Sequence, residues 1–175
     1  MKKLAALLLL VLTVGCATQH GVPNYVRVNP HLSRGGQPDA IGWDTIKASG
    51  VDTVIKLNTG RDAYAEQIGL RVIYLPISTW EQTLGTPDSN TLARAVFEIE
   101  EAIREGRCVF VHCTHGQDRT GLIIGLYLYH NGMSKDEVYK QMKALGFHPS
   151  LLGLYSAWEK ARSEDLGKNL GDNHQ

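Results

Sequence analysis

The fold of this 175-residue chain is decided by one stretch, Val109-Phe110-Val111-His112-Cys113-Thr114-His115-Gly116-Gln117-Asp118-Arg119-Thr120-Gly121. Residues 109–111 are β-branched or aromatic, which is typical of a strand, and residues 122–129 form a long run without proline, which indicates a buried helix. The polar residues between them therefore form a tight loop at a helix N-terminus. The unpaired N–H groups and partial positive charge of such a terminus bind phosphate and stabilise a thiolate.

Two side chains of this loop, Cys113 and Arg119, predict phosphate chemistry. A cysteine thiol has a pKa of about 8.5, which falls to roughly 3.5–7.5 at a helix N-terminus beside a cation. We therefore expect Cys113 to act as a nucleophile. Arg119 supplies the cation, because its planar guanidinium group can bind two phosphate oxygens at once. Thr120 places a hydroxyl group where it can bond the thiolate, and we expect Gly116 and Gly121 to relieve backbone crowding.

The loop resembles the signature of the cysteine-dependent protein tyrosine phosphatase superfamily, in which His-Cys is followed by five residues, Arg and then Ser or Thr. His112, Cys113, Arg119 and Thr120 match that pattern. The resemblance implies attack of Cys113 on phosphorus and a phosphocysteine intermediate stabilised by Arg119 and the loop amides, with no metal and no cofactor. It assigns His112 to structural support of the loop. The residues that it assigns to substrate binding are Thr114, His115, Gly116, Gln117 and Thr120.

The leaving oxygen needs a proton donor, and three carboxylates stay open as candidates. Asp118 lies in the loop beside Arg119, where bound phosphate would favour the protonated form of a carboxylate, and the order Asp-Arg-Thr resembles phosphoinositide-directed members of the superfamily. Glu81 follows Ile77 at a place that matches the acidic residue of dual-specificity phosphatases. Asp88 is the third candidate, although favourable charge in a first helical turn also explains it.

Strand-like and helix-like segments alternate along the rest of the chain. Strands are expected at 51–57 and 72–77, helices at 41–49, 62–68, 86–104, 135–145 and 151–161, and irregular structure at 78–85. This alternation predicts an α/β fold with a mostly parallel central sheet flanked by helices on both faces, as in tyrosine phosphatases, with the active-site loop at a strand-to-helix junction. Arg61, the 78–86 loop and the Cys113 loop should then meet beyond the strand ends.

Further expectations concern single side chains. Thr86 is predicted to cap the long helix, and Glu98 is expected on its solvent-facing side with Glu101 and Glu105. Arg34 lies in a segment that resembles the opening of small dual-specificity-like phosphatases. We expect it to bond loop carbonyl groups, and a direct functional role stays open as the alternative. Cys108 lies five residues before Cys113 on the same strand, about 16 Å away, which is too far for a disulfide.

The N-terminus has the pattern of an export signal. Two lysines precede an apolar run over residues 4–14, which is shorter than the ~20 residues that span a bilayer. Residues 12–16 resemble a bacterial lipobox, although Thr13 stands where Leu is usual, and Ala17 after Cys16 resembles the pattern of outer-membrane lipoproteins. We therefore expect a signal peptide (1–15), a tether from lipidated Cys16 (16–24), a phosphatase domain (25–165) and a polar tail (166–175). The expected location is the periplasmic face of a Gram-negative outer membrane, with a soluble periplasmic or secreted protein as the alternative.

Charge and motif together limit the function. The chain has 18 basic and 18 acidic residues, so it lacks the basic surplus that nucleic-acid binding requires. The expected partners are a phosphorylated protein or small phosphate ester, and a membrane through the lipid. We expect a metal-independent phosphomonoester hydrolase of the tyrosine or dual-specificity type. A phosphoinositide or inositol phosphate phosphatase and a non-catalytic phosphate-binding lipoprotein stay open as alternatives.

Overall fold

The computed structural model describes residues 21–161 and contains a five-stranded sheet. The strands are β1 (Val26–Asn29), β2 (Leu32–Gly35), β3 (Thr53–Lys56), β4 (Arg71–Tyr74) and β5 (Val109–His112). Their order across the sheet is β1-β2-β5-β3-β4. Strands β2, β5, β3 and β4 run parallel, and β1 pairs antiparallel with β2 at one edge.

Helices cover both faces of this sheet, as the sequence predicts. They are α1 (Ala40–Ala48), α2 (Ala63–Gln67), α3 (Thr79–Thr83), α4 (Ser89–Arg104), α5 (Asp118–His130), α6 (Lys135–Ala144) and α7 (Leu152–Lys160). Side chains alternate along β5: Phe110 joins a core with Trp43 of α1, whereas Val109 and Val111 join the larger core beneath α4 to α7. The α/β fold with a mostly parallel sheet is therefore confirmed.

The strand register determines where the functional side chains meet. His112, the last residue of β5, lies opposite Gly35 on β2 and opposite Lys56 on β3. These three strands are parallel, so the segments that follow them leave the sheet at the same edge. The residues after Gly35, Lys56 and His112 are therefore brought together although they are far apart in sequence.

Three local predictions are wrong. Residues 79–83 form a helix because Ser78 and Glu81 make a reciprocal capping box, so the segment 78–85 is not irregular. Helix α4 is capped by Asp88, whose side chain accepts a hydrogen bond from the Thr91 N–H, and not by Thr86. Glu98 is buried and not solvated, because it pairs with Arg94 one turn earlier and reaches Arg71 on the edge strand.

The N-terminal boundary of the domain also differs from the prediction. Val22 is buried in the core beneath α1, the carbonyl group of Pro23 accepts a hydrogen bond from the Gly36 N–H at 2.6 Å, and Asn24 donates to the His115 carbonyl oxygen at 2.9 Å. Residues 21–24 therefore belong to the folded domain and not to a tether. The predicted signal peptide, Cys16 and the polar tail lie outside the described residues.

Candidate active site

The Cys113 loop occupies residues 113–117, between the end of β5 and the start of α5. Cys113 follows the strand directly and is 3% exposed, whereas Thr114 and His115 are exposed. The Cys113 thiol thus lies at the floor of the loop, beside the N-terminus of a buried helix. The exposed position of His115 leaves it accessible to a substrate.

Gly116 lets the loop lie directly on the end of β2. Its φ is +75°, and a Cβ atom on it would lie 2.3 Å from the Gly35 carbonyl carbon and 2.4 Å from the Gly36 nitrogen. Both a left-handed backbone and a close backbone contact therefore require glycine here. The crowding predicted at Gly121 is not found, since a Cβ atom there would make an ordinary 3.4 Å contact with the Phe147 ring.

The first turn of α5 carries two side chains whose polar atoms lack partners. The Nε atom of Arg119 is buried without a hydrogen bond, and within residues 21–161 Arg119 forms no ion pair. The Thr120 hydroxyl group is also buried and has no hydrogen-bond partner among the described residues, so its expected bond to Cys113 is not formed. Buried polar groups are seldom left unpaired except at functional sites, and an unpaired guanidinium group is ready for phosphate.

Arg34 supplies a second positive charge beneath the loop. The side chain is 2% exposed, and its Nη2 atom donates to the carbonyl oxygens of Gly116 and Gln117. Burial lowers the pKa of Arg34 to about 10, while the charges of Cys113 and Asp118 raise it. The group therefore stays protonated at neutral pH, and the expectation that Arg34 bonds loop carbonyl groups is confirmed.

A buried cluster that was not identified in the sequence lies behind Cys113. The Nε2 atom of His112 lies 2.8 Å from one carboxylate oxygen of Asp62, and the other oxygen accepts hydrogen bonds from Lys56 at 2.9 Å and Gln37 at 2.9 Å. Lys56 also donates to Asn58 at 3.2 Å. In the sequence Lys56 resembles an ordinary polar residue of a strand and Asp62 resembles a helix cap. Neither residue type at its position therefore indicates that the two belong to a buried cluster.

The surroundings shift the pKa values of Asp62 and His112 in this cluster. Burial raises the pKa of Asp62, but the hydrogen bonds from His112, Lys56 and Gln37 outweigh it, so the pKa lies below its ordinary value. Burial lowers the pKa of His112 and outweighs the opposing influence of Asp62. At neutral pH we therefore expect an ionised Asp62 beside a neutral His112.

The remaining loop residues have different environments. The Thr114 carbonyl oxygen accepts a hydrogen bond from the Gln37 N–H at 3.0 Å, and its hydroxyl group accepts one from Asn58 at 3.4 Å. The side chain of Gln117 lies against Gly146, in the turn after α6. Gln117 thus lies at the end of the loop that joins α5 rather than at its exposed tip.

The structure places the three candidate acids at three different positions. One oxygen of Asp118 accepts hydrogen bonds from the backbone N–H of His148 at 2.8 Å and from its ring at 3.0 Å. Glu81 closes the capping box of α3, and hydrogen bonds from Ser78 lower its pKa, which favours the ionised form that a proton donor cannot use. Asp88 caps α4. The identity of the acid stays a prediction.

Arg61 does not reach the loop as expected. Its side chain is 76% exposed and pairs with Glu66 of α2 at 2.7 Å. Its neighbours Asn58 and Asp62 approach the Cys113 loop in its place.

Cys108 lies at the opposite end of β5 from Cys113. Both thiols are free, and the Cys108 sulfur lies 3.7 Å from the Nδ1 atom of His31. Cys108 is half-buried against the core beneath α1. The prediction that these two cysteines form no disulfide is confirmed.

The chain is similar to known phosphatases in sequence and in structure. A family model described as the DSP-PTPase phosphatase of polymorphic toxin systems matches residues 31–133, which is more than half of the chain. The dual specificity protein phosphatase TpbA of Pseudomonas aeruginosa is 29% identical over 126 residues, which cover 71% of this chain and 55% of TpbA. The matched segment thus spans about half the length of this curated relative.

Two solved structures show the same architecture. The crystal structure of P. aeruginosa TpbA in complex with pTyr has a TM-score of 0.71 at 24% identity, with 85% of this chain and 91% of that chain covered. The core catalytic domain of the PP-IP phosphatase SIW14 from S. cerevisiae has a TM-score of 0.67 at 15% identity, with 83% and 90% covered. At these identities the likeness concerns the fold, whereas the family match includes the strand, the loop and the helix that carry Cys113 and Arg119. On that match, the chain belongs to the DSP-PTPase phosphatase family.

Proposed function

We propose that the protein is a phosphomonoester hydrolase of the tyrosine or dual-specificity type, with Cys113 as its nucleophile. The observation that carries this proposal is the pairing of a nearly buried thiol with an unpartnered Arg119 guanidinium group at the N-terminus of α5. Arg34 adds positive charge beneath the same loop. Such a site attracts a phosphate dianion and stabilises the charge that develops on its oxygens.

The geometry supports a two-step reaction. In the first step the Cys113 thiolate attacks phosphorus, a sulfur–phosphorus bond forms, and the bond to the leaving oxygen breaks as a carboxylic acid donates a proton to that oxygen. In the second step water attacks phosphorus and gives up a proton, the sulfur–phosphorus bond breaks, and inorganic phosphate leaves with the thiolate restored. Arg119 and the loop N–H groups hold the phosphoryl oxygens throughout both steps.

Cys113→Ser tests this mechanism against a matched change, Cys108→Ser, at the second free thiol within residues 21–161. We expect the first variant to lose hydrolysis of p-nitrophenyl phosphate while it still binds inorganic phosphate, because Arg119 and the loop amides remain. Cys108→Ser should keep both properties. Activity should also persist in EDTA. Full turnover by Cys113→Ser would refute the mechanism, and a wild-type protein that binds phosphate without hydrolysis would support the phosphate-binding alternative.

The substrate proposed first is a phosphotyrosine-containing or phosphoserine-containing protein. Support comes from the family match and from the TpbA complex with phosphotyrosine. Asp118, in the first turn of α5 directly after the loop, keeps inositol phosphates as a second candidate. A panel of phosphopeptides and inositol phosphates, compared by kcat/KM at fixed ionic strength, separates the two. A higher kcat/KM for inositol phosphates would overturn the protein substrate.

For the location we propose an exported lipoprotein anchored through Cys16. The lipobox-like residues 12–16 support this proposal. Within residues 21–161, no helix has the length and apolar character needed to cross a bilayer. Mass spectrometry of the mature N-terminus tests the proposal. An unmodified N-terminus at another residue would refute it.

A further inference from the structure

Both neighbours of Cys113 are tied to one buried ion pair. On one side, the His112 ring bonds to Asp62. On the other side, Thr114 accepts hydrogen bonds from the Gln37 N–H and from the Asn58 side chain. The side chains of Gln37 and Asn58 both accept hydrogen bonds from Lys56, at 2.8 Å and 3.2 Å.

Lys56 and Asp62 themselves form a salt bridge at 2.9 Å, and their side chains are 2% and 3% exposed. The pair therefore connects three segments that have no covalent proximity: the end of β2, the β3–α2 loop and the Cys113 loop. Its hydrogen-bond capacity is used almost fully, since Asp62 accepts from three donors and Lys56 donates to three acceptors.

We propose that the Lys56–Asp62 pair is a positioning device of the active site, which holds the backbone on both sides of Cys113 and fixes the hydrogen-bonding state of His112. The proposal rests on the proposed phosphatase activity for its kinetic test. Neither residue touches the substrate in this role. The pair acts through His112, Gln37 and Asn58.

The chemistry of His112 explains how the pair acts. A neutral imidazole next to an ionised Asp62 must carry its proton on Nε2, which leaves Nδ1 without a proton, 3.4 Å from the Cys113 carbonyl oxygen. The positive charge of Lys56 disfavours a second proton on the ring. Removal of Lys56 would leave Asp62 to pair with a charged His112, and Nδ1 would then donate to the Cys113 carbonyl group. Other charges near Cys113 are that of Arg34, which interacts electrostatically with both Cys113 and Asp118, and that of Arg119 in the first turn of α5.

A purely structural role is the competing explanation, and stability alone does not separate the two. A buried ion pair that is replaced on both sides by apolar residues often leaves stability unchanged or higher, whereas loss of one partner strands a buried charge. The three variants Lys56→Met, Asp62→Leu and the double replacement therefore form the test. We expect each single variant to melt at a lower temperature than the wild type and the double variant to recover most of that loss.

Activity should not recover with stability. We expect kcat/KM of the double variant for p-nitrophenyl phosphate to stay about 10- to 100-fold below wild type. This is the loss typical when a metal-binding histidine loses the outer hydrogen-bond partner that orients its ring, and Asp62 orients His112 in a similar way. The loss should fall on kcat, with KM nearly unchanged, because Arg119 still binds the phosphate. A double variant with both wild-type stability and wild-type kcat/KM would overturn the proposal.

A second readout does not depend on turnover. The alkylation rate of Cys113 by iodoacetamide, measured over a range of pH that brackets the thiol titration, reports the thiolate population, and we expect its midpoint to move in the double variant. Asp52→Asn is the matched control, because Asp52 binds the Cys108 N–H at the opposite end of the same strands and should leave the midpoint unchanged. If the wild type hydrolyses no phosphate ester, the proposed activity is refuted. The positioning role is refuted separately, by an alkylation midpoint of Cys113 that is the same in the double variant as in the wild type.

If the double variant does not fold, the near-isosteric Asp62→Asn decides. This change removes the charge that fixes His112 but keeps the volume and one acceptor oxygen. We expect a folded protein with a shifted alkylation midpoint and a lower kcat. A folded Asp62→Asn protein with the wild-type midpoint and kcat would show that the pair serves stability alone.

Discussion

The contact between Gly116 and the end of β2 gives a sharp test of how the loop is held. In Gly116→Ala the new methyl group would lie 2.3 Å from the Gly35 carbonyl carbon, 2.4 Å from the Gly36 nitrogen and 2.5 Å from the Gly35 oxygen. These are backbone atoms of a buried strand end, so they cannot rotate away as a flexible side chain could. The Cys113 loop or β2 must move for the variant to fold.

The expected cost has two parts. A residue other than glycine at φ +75° costs roughly 1–2 kcal/mol from backbone strain. Overpacking against a fixed neighbour adds about 1–3 kcal/mol. The sum is a loss of about 2–5 kcal/mol in the free energy of unfolding. Because a displacement of about 1 Å can reduce the rate 10²-fold, kcat/KM should fall by a similar factor in the molecules that stay folded.

Gly132→Ala isolates the first part of this cost. Gly132 follows the other end of α5 with φ +93°, and in the described part of the chain no heavy atom beyond its own chain neighbours lies within 4 Å of the position that its Cβ atom would take. We expect it to lose only the roughly 1–2 kcal/mol of backbone strain and to keep wild-type kcat/KM. Urea denaturation measures the free energy of unfolding of both variants, and the comparison is valid when their m-values are equal. If Gly116→Ala is no less stable than Gly132→Ala and equally active, the close contact with β2 does not hold the loop.

Two more predictions concern the acid and the pH dependence of stability. Asp118→Asn should lower kcat by about 10²–10⁴-fold for alkyl phosphates, which need protonation of the leaving oxygen, and spare p-nitrophenyl phosphate. Glu81→Gln should mainly destabilise α3. If Glu81→Gln shows this dependence on the leaving group and Asp118→Asn does not, Glu81 is the acid. The pKa values of His112 and Asp62 lie below their ordinary values, 6.5 and 3.8, so the unfolded chain takes up protons that the folded chain does not. The free energy of unfolding should therefore be highest above the ordinary pKa of His112 and fall as the pH decreases towards the lowered folded-state values. His112→Gln should reduce the loss of unfolding free energy that begins as the pH falls below the ordinary pKa of His112. His115→Gln, a change at an exposed histidine, is the control and should not reduce it. If the free energy of unfolding of His112→Gln depends on pH as that of the wild type does, the lowered pKa of His112 is contradicted.

The sequence predicts those parts of the site that are encoded locally. Cys113 and Arg119 lie within one strand–loop–helix unit, so their spacing and flanking pattern are enough to identify them. The fold class follows from the alternation of strands and helices. The short helix α3 was missed because its five residues carry no apolar periodicity, although Ser78 and Glu81 have the spacing of a capping box.

The missed residues depend on contacts that no local pattern encodes. Asp62 lies 50 positions before His112 and meets it only because β3 and β5 pair in the register that sets Lys56 opposite His112. Glu98 has a local partner, Arg94, but it also reaches Arg71 of a distant edge strand at 3.8 Å. In both cases the sequence shows a polar residue at an ordinary position, and tertiary pairing decides whether its charge is buried.

The position of β5 has a consequence for how the protein is made. This strand is the last of the five in chain order, yet it lies between β2 and β3. On the β2 side, for example, Val109 of β5 pairs with Leu32. Until residue 112 is available, β2 and β3 have no common neighbour, and the sheet cannot close. A nascent chain that stops short of this point holds two unconnected halves with open strand edges. We therefore expect the phosphate-binding loop to form only with the closure of the sheet, so that no partly synthesised chain carries a finished catalytic site.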